Sequence, residues 1–262
     1  MMFLKKVVEE KKIYVNEKKS KIPLRELRSR EIIFEKRPFK ELFKSRTNRE
    51  TRIIAEIKKA SPAKGIFSLD IDVSEIAKKY YEGGAKAISL ITEPNFFFGN
   101  TDDLPIVKKA TPLPILRKDF IVDEYEIYES IVIGADAILL IAEALDKSQL
   151  TELLYCANEL DIDVLFEVHS LKKFEEFYDL NKLYILGINN RNLETLEIDL
   201  KWGLEILKNI PETIPVIIES GIENRKDIES FLRIGISGFL IGSSLMTSKD
   251  PVQQLKHLRG VE

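Results

Sequence analysis

Five apolar runs in this chain end in groups able to do chemistry. In an extended strand alternate side chains share a face. That puts Glu56 and Lys58 with Ile54, Lys118 with Leu116 and Phe120, and Glu167 with Leu165. Asn189 and Arg191 fall together in Leu186–Arg191, and Ser220 closes the polar end of Val216–Gly221. Taking a lone charge out of water costs several kcal/mol or more, so such residues are expected in pairs or at sites. An ion pair at a rim would explain one or two of them. It does not explain five runs aiming polar groups at one mouth. Two carboxylates and two lysines in one pocket perturb each other's proton affinity, which proton-transfer chemistry requires.

A second pattern points to an anion. Glu219-Ser-Gly-Ile222 and Ile241-Gly-Ser-Ser244 end two late runs in small residues. The exposed backbone N–H groups of such turns suit a phosphate. Tight turns alone would also account for Gly221 and Gly242, but barrels often bind phosphate in the loops after their seventh and eighth strands.

These groups need a frame, and a weak internal repeat supplies one. Gly-Gly-Ala-Lys-Ala-Ile-Ser-Leu-Ile from Gly83, Gly-Ala-Asp-Ala-Ile-Leu-Leu-Ile from Gly134 and Gly-Ile-Ser-Gly-Phe-Leu-Ile from Gly235 read alike. Each follows a stretch with helical apolar spacing, so each glycine is placed to end a helix and each apolar run to form a buried strand. Gly84, Gly134 and Gly235 lie 50 and 101 positions apart, two and four units of about 25 residues. Completing the series predicts strands near Ile53–Lys58, Ala87–Thr92, Pro114–Phe120, Ala137–Ala142, Asp163–His169, Leu183–Asn190, Pro215–Ser220 and Gly238–Ser243. Eight βα units after residue 50 use nearly all the remaining chain. A closed (β/α)8 TIM barrel therefore fits better than an open doubly wound sheet, which would want an early Gly-x-Gly-x-x-Gly turn.

One domain over residues 1–262 is expected, with 48–262 as the eight units and 1–47 as a helical extension packed on the barrel. That extension is rich in Lys, Glu and Arg, with apolar positions such as Leu27, Phe39 and Phe43. It is either a solvated helical addition or a cover for the active site.

Composition narrows the function classes. Forty basic and 43 acidic residues give a net charge of −3, which argues against a general affinity for nucleic acid. The single Cys156 cannot make an internal disulfide, no cluster has metal-ligand spacing, and no apolar run is long enough to span a bilayer. The start of the chain is broken by lysines and glutamates and lacks a signal-peptide stretch. A cytoplasmic enzyme without metal or other cofactor, membrane or nucleic-acid partner is expected.

The strand ends also read as motifs. They are Ile54-Ala-Glu-Ile-Lys-Lys-Ala-Ser-Pro62 with Gly65, Phe96-Phe-Phe-Gly99, Leu116-Arg-Lys-Asp-Phe120, Phe166-Glu-Val-His169, Gly187-Ile-Asn-Asn-Arg-Asn-Leu193, Glu219-Ser-Gly-Ile222 and Ile241-Gly-Ser-Ser-Leu-Met246. Together, in this order, they resemble indole-3-glycerol phosphate synthase over nearly the whole chain. Ala63 departs from a common serine and Ile218 from a smaller residue; neither is a proton donor.

The resemblance implies a carboxy-lyase of tryptophan biosynthesis. It would convert 1-(2-carboxyphenylamino)-1-deoxyribulose 5-phosphate to indole-3-glycerol phosphate by ring closure, decarboxylation and dehydration. Attack by a ring carbon on a ketone leaves charge on its oxygen, so a cationic acid is needed there. By resemblance Lys118 takes that role, with Lys58 as the second candidate. Glu167 would move protons during dehydration, and Glu56 and Asn189 would orient the reacting center. Lys58, Ser220, Gly221, Gly242 and Ser243 would hold the phosphate, Ser61 and Arg191 the carboxylate, and Phe97 and Phe120 the ring, with Glu219 a further substrate-binding residue. His169 and His257 are left outside the site, because the reaction has no need of them. A small phosphorylated substrate is the expected partner, and a monomer the expected state, with a homodimer as the alternative.

Three rival readings stand beside this one. A phosphoribosylanthranilate isomerase-like barrel would want a Cys–Asp pair, but Cys156 lies in a helical stretch. A Schiff-base aldolase would use Lys118 or Lys58 as nucleophile. An inactive scaffolding barrel would have no reason to keep Glu56, Lys118 and Glu167 together.

Overall fold

The computed structural model describes residues 2–62, 65–192 and 195–261. Ala63 and Leu193, named above, lie outside them. Eight parallel strands form a closed barrel: β1 (Ile53–Ile57), β2 (Ala87–Ile91), β3 (Ile115–Lys118), β4 (Ala137–Ile141), β5 (Asp163–Val168), β6 (Ile185–Asn189), β7 (Val216–Glu219) and β8 (Gly238–Ile241). Closure is made by β8 returning to β1, with Phe239 beside Ile53 and Leu240 beside Ile54.

All eight expected strands are present, and several are shorter than expected. Asp119 and Phe120 leave the ladder after Lys118, and a 3-10 turn over Tyr178–Leu183 delays the start of β6. The repeat glycines Gly84, Gly134 and Gly235 adopt φ of 82°, 93° and 90°. This left-handed backbone suits glycine and ends each helix where a strand must begin.

Strand alternation sorts the core into two shells. Ile54, Ala87, Leu116, Leu139, Leu165, Ile185, Ile217 and Leu240 fill the interior. Their neighbors Ile53, Ile88, Ile115, Ile138, Val164, Leu186, Val216 and Phe239 pack outward beneath the helices.

The extension reaches both ends of this barrel. Its helices are α1 (Met2–Lys21), α2 (Leu24–Arg28) and α3 (Phe39–Phe43). Phe39 and Phe43 are fully buried and join the interior cluster. They plug the end where the strands begin: Phe43 abuts Gly238 at the start of β8, and Lys40 N donates to Asp163 Oδ2 (2.7 Å) at the start of β5. Helix α1 turns Leu4, Val8 and Val15 inward, and Lys11 lies buried in the same stripe. Leu4 also lines the cleft at the opposite end of the barrel. The extension thus packs on the barrel, with Phe39 and Phe43 at one end and Leu4 beside the cleft at the other.

Candidate active site

Every site residue named from the sequence lines one cleft at the C-terminal ends of the strands. The cleft holds about 1240 Å³ of empty space with open solvent included. Among those named from the sequence, residues 187 positions apart meet there, Glu56 on β1 and Ser243 after β8.

Its center is Lys118 at the end of β3. Lys118 Nζ donates to Glu219 Oε2 (2.6 Å) and Glu167 Oε2 (3.2 Å). Lys58 Nζ pairs with Glu56 Oε1 (2.8 Å) on the same strand face. Asn189 hydrogen-bonds Glu167 and accepts from Arg191 N at 3.0 Å. Two glycines clear space for these carboxylates. A side chain at Gly187 would run into Glu219, and one at Gly242 into Glu56.

Crowding drives the proton affinities apart. Burial disfavors an ammonium at Lys118, but Glu219, Glu167 and Glu56 outweigh it and hold the lysine above its usual range. Burial also opposes ionisation of Glu167, yet Lys118 and His169 keep that carboxyl down at about 2. Glu219 goes the other way. Burial and then the Glu167 charge push it up to about 8, against the pull of Lys118. One of the two carboxyl groups beside Lys118 therefore holds a proton near neutral pH while the other is ionised.

The loops supply contact surfaces around this center. Ser220 and Gly221 both have positive φ (65° and 82°), and Asn190 Nδ2 fixes the turn by donating to Ser220 O (2.8 Å). Gly242 precedes the short helix Ser243–Met246. The first N–H groups of a helix lack intrahelical partners, so both turns offer backbone donors to an anion. Arg191 donates through its guanidinium to Leu196 O (2.8 Å), which ties its loop down. Phe97 and Phe120 form a tilted ring pair in the lining of the cleft, with centroids 6.2 Å apart and planes at 42°. Ser61 sits in a two-residue ladder with Gly65 after β1.

Sequence reasoning overlooked three supporting residues. Glu93, after β2, accepts from Asn95, Phe96 and Phe97 N (2.9, 2.7 and 3.0 Å) and so sets the aromatic loop. Glu143 and His169 lie behind Glu167. The ring of His169 has Nδ1 3.1 Å from Glu143 Oε2 and Nε2 3.3 Å from Glu167 Oε1. The sequence reading left His169 outside the site; the structure puts its ring behind Glu167 and outside the residues that line the cleft. The spacing Glu167-Val-His169 already placed both side chains on one strand face.

Comparison with known proteins identifies the family. Residues 4–258 match the family described as indole-3-glycerol phosphate synthase. A protein of that name from Legionella pneumophila (strain Paris) is 43% identical over 81% of this chain and 82% of its own length. One from Campylobacter jejuni (strain RM1221) is 40% identical over 98% of this chain and all of its own. Among solved structures, 3-hexulose-6-phosphate synthase from Salmonella typhimurium covers 80% of this chain and 97% of its own (TM-score 0.64, 13% identity). Thiamine phosphate pyrophosphorylase from Pyrococcus furiosus covers 81% and 95% (TM-score 0.59, 18% identity). At such identities the two structures speak for the barrel fold alone.

Proposed function

From the premise that this chain belongs to the indole-3-glycerol phosphate synthase family, we propose that the charged mouth of its barrel closes the indole ring with Lys118 as the acid. The family is one of carboxy-lyases in tryptophan biosynthesis, acting on a small phosphorylated substrate. The assignment of roles to residues rests on one observation: Lys118 Nζ is clamped between Glu167 and Glu219 at the open end of the barrel.

In the reaction the ring carbon that carries the carboxylate bonds to the ketone carbon, and the carbonyl electron pair moves to oxygen. The Lys118 ammonium gives that oxygen its proton. Loss of carbon dioxide returns an electron pair to the ring. The new hydroxyl then takes up a proton and leaves as water while the adjacent carbon of the new ring gives one up to form the double bond, and Glu167 carries a proton in that step. Glu56 and Asn189 orient the center, and Lys58 stands near enough to serve as the second acid or to meet the phosphate. Ser220, Gly221, Gly242 and Ser243 offer the phosphate backbone N–H groups, Ser61 and Arg191 take the carboxylate, and Phe97 and Phe120 grip the ring.

A raised lysine pKa argues against the aldolase alternative, which needs a free amine. We also take the working unit to be a monomer, since one chain supplies the whole cleft. The lone Cys156 favors a cytoplasmic setting.

The test is a fluorescence assay of indole-glycerol formation from the carboxyphenylamino-deoxyribulose phosphate, run with the wild type and Lys118→Ala. Product from the wild type and near-total loss in the variant is expected. Full activity in the variant would move the acid's role to Lys58. A borohydride-stable adduct on lysine would replace the whole scheme by Schiff-base chemistry.

A further inference from the structure

His169 stands directly after β5 with its ring enclosed between two carboxylates from different elements. Glu143, in the loop after β4, grips it twice. Glu143 Oε1 accepts from the His169 backbone N–H (3.1 Å) and Oε2 faces Nδ1 (3.1 Å). Across the ring Nε2 faces Glu167 Oε1 at 3.3 Å, while the other Glu167 oxygen faces Lys118 Nζ at 3.2 Å. From the neighboring unit, Trp202 Nε1 donates to His169 O (3.0 Å) and pins the backbone. His169 and Glu143 do not line the cleft. Whatever they do for the reaction, they do through Glu167.

We infer that His169 and Glu143 form a positioning pair that fixes Glu167 against Lys118 from behind. The inference rests on the reading of Glu167 as the proton-transfer carboxylate. A neutral imidazole has one donor and one acceptor, so it would turn a lone pair toward one of its two carboxylates. An imidazolium gives Nδ1–H to Glu143 and sets its positive charge 3.3 Å from Glu167 Oε1, a charge contact without a hydrogen bond at Nε2. The titratable groups facing the ring are Glu143 from the loop after β4, Glu167 from β5 and, farther off, the Glu219 carboxyl from β7. Burial lowers the histidine's proton affinity, but the Glu143 and Glu167 carboxylates outweigh it and raise it above the usual value. The resting site is then a row of alternating charge, Glu143–His169–Glu167–Lys118, that ends at the substrate. With both oxygens engaged, Glu167 has one orientation.

Two amide replacements dissect the contacts. Glutamine places its terminal nitrogen near where Nε2 was and can still donate to Glu167. Asparagine reaches only the Nδ1 position and Glu143. His169→Asn should lower kcat on the order of tenfold to a hundredfold, the scale of a misoriented catalytic group, with KM little changed. His169→Gln should recover part of that loss. Wild-type kcat should fall as pH rises through the histidine's titration, both variants should lack that limb, and Glu143→Gln should move it to lower pH.

Ring NMR gives a readout apart from activity. The chain has 2 histidines, so His257→Gln assigns the signals. The His169 midpoint should lie above that of a free histidine and drop in both Glu143→Gln and Glu167→Gln. An ordinary or lowered midpoint overturns the inference. So does wild-type kcat and pH profile in His169→Asn while Glu167→Gln is inactive, which leaves the role of Glu167 standing. A fully active Glu167→Gln removes both, and an unchanged raised midpoint in the wild type identifies that case.

Discussion

Strand β3 carries charge on both of its faces. On the outer face Arg117 and Asp119 are buried beneath α1 and the helix Glu124–Ile133. Arg117 spends its donors on Thr92 Oγ1, Glu126 O, Ser130 Oγ, Asp119 and Glu129. Asp119 accepts from Lys11 Nζ (2.7 Å) and Thr92 Oγ1 (2.7 Å), and Lys18 pairs with Glu129 (2.7 Å). Three cations, Lys11, Lys18 and Arg117, thus meet three carboxylates, Asp119, Glu126 and Glu129. On the inner face two lysines, Lys58 and Lys118, meet three carboxylates, Glu56, Glu167 and Glu219. The outer network is balanced, with Lys11, Arg117, Asp119 and Glu126 closed to solvent and the Lys18–Glu129 pair at its edge. The inner one has a surplus carboxyl that burial and Glu167 keep protonated, and it opens on the cleft. Burial of charge is therefore no sign of function by itself. Imbalance with access to a ligand is.

Removing one cation from each face separates the two cases. Lys118→Met should cut kcat by about a thousandfold or more, as loss of a charge that stabilises the transition state does. Its melting temperature should hold or rise, because Glu167 and Glu219 can then share a proton and the methionine packs. Lys11→Met should do the reverse. It strands Asp119, whose pKa is held far down by Lys11 and Arg117 against burial, and breaking a buried pair costs about 3–5 kcal/mol. Urea denaturation checks this, and Lys11→Met with Asp119→Asn should recover part of the loss. Equal urea midpoints for wild type and Lys11→Met would show that the outer network does not hold the extension.

The contrast marks how far the sequence was legible. Alternation assigned Lys118 to the mouth because Leu116 and Phe120 share its face, and the structure places it there. Repeat spacing located all eight strands, since each glycine must end a helix. Arg117 and Asp119, by contrast, flank Lys118 in one charged run. Nothing local reveals that their partners are Lys11, 108 positions from Asp119, and Glu126 and Glu129 on the next helix. Contacts of that range are set by how the extension docks, which follows from three-dimensional packing. Glu143 was missed for a nearer reason: it follows the predicted strand in a loop, and the parallel pairing that sets Ile141 beside Glu167 brings that loop against the end of β5.

The surplus carboxyl gives a pH prediction with a definite sign. Glu219 is raised from 4.5 to about 8. Between those values the folded chain binds more protons at this site than the unfolded chain, so the contribution to stability is present at pH 4 and lost as pH rises through 8. Glu167 has the opposite sign and loses its contribution as pH falls from 4.5 toward about 2. Glu219→Gln should flatten the alkaline decline of the melting temperature between pH 5 and 8, roughly, and leave the acid limb alone. An unchanged alkaline slope would place the proton elsewhere in the cleft.

The smallest effect is expected at the edge of the same docking surface. Arg28 on α2 pairs with Glu124 Oε2 (3.0 Å), two residues before Glu126, but both side chains are nearly half exposed (47% and 46%). The pair joins the extension to the very helix that Lys11 grips, so the two differ chiefly in access to water. Exposed pairs contribute about 0–1 kcal/mol and are screened by salt. Arg28 also lies over the Tyr128 ring, 4.5 Å from its center, and stacking of that kind persists when salt screens the carboxylate. Arg28→Ala should therefore cost well under a third of Lys11→Met in urea. A cost that vanishes in 0.5 M salt, roughly a Debye length of a few ångströms, assigns it to Glu124; one that survives assigns it to Tyr128. A cost equal to that of Lys11→Met would mean that solvent access does not separate these charges, and the distinction between the two faces of β3 would fall with it.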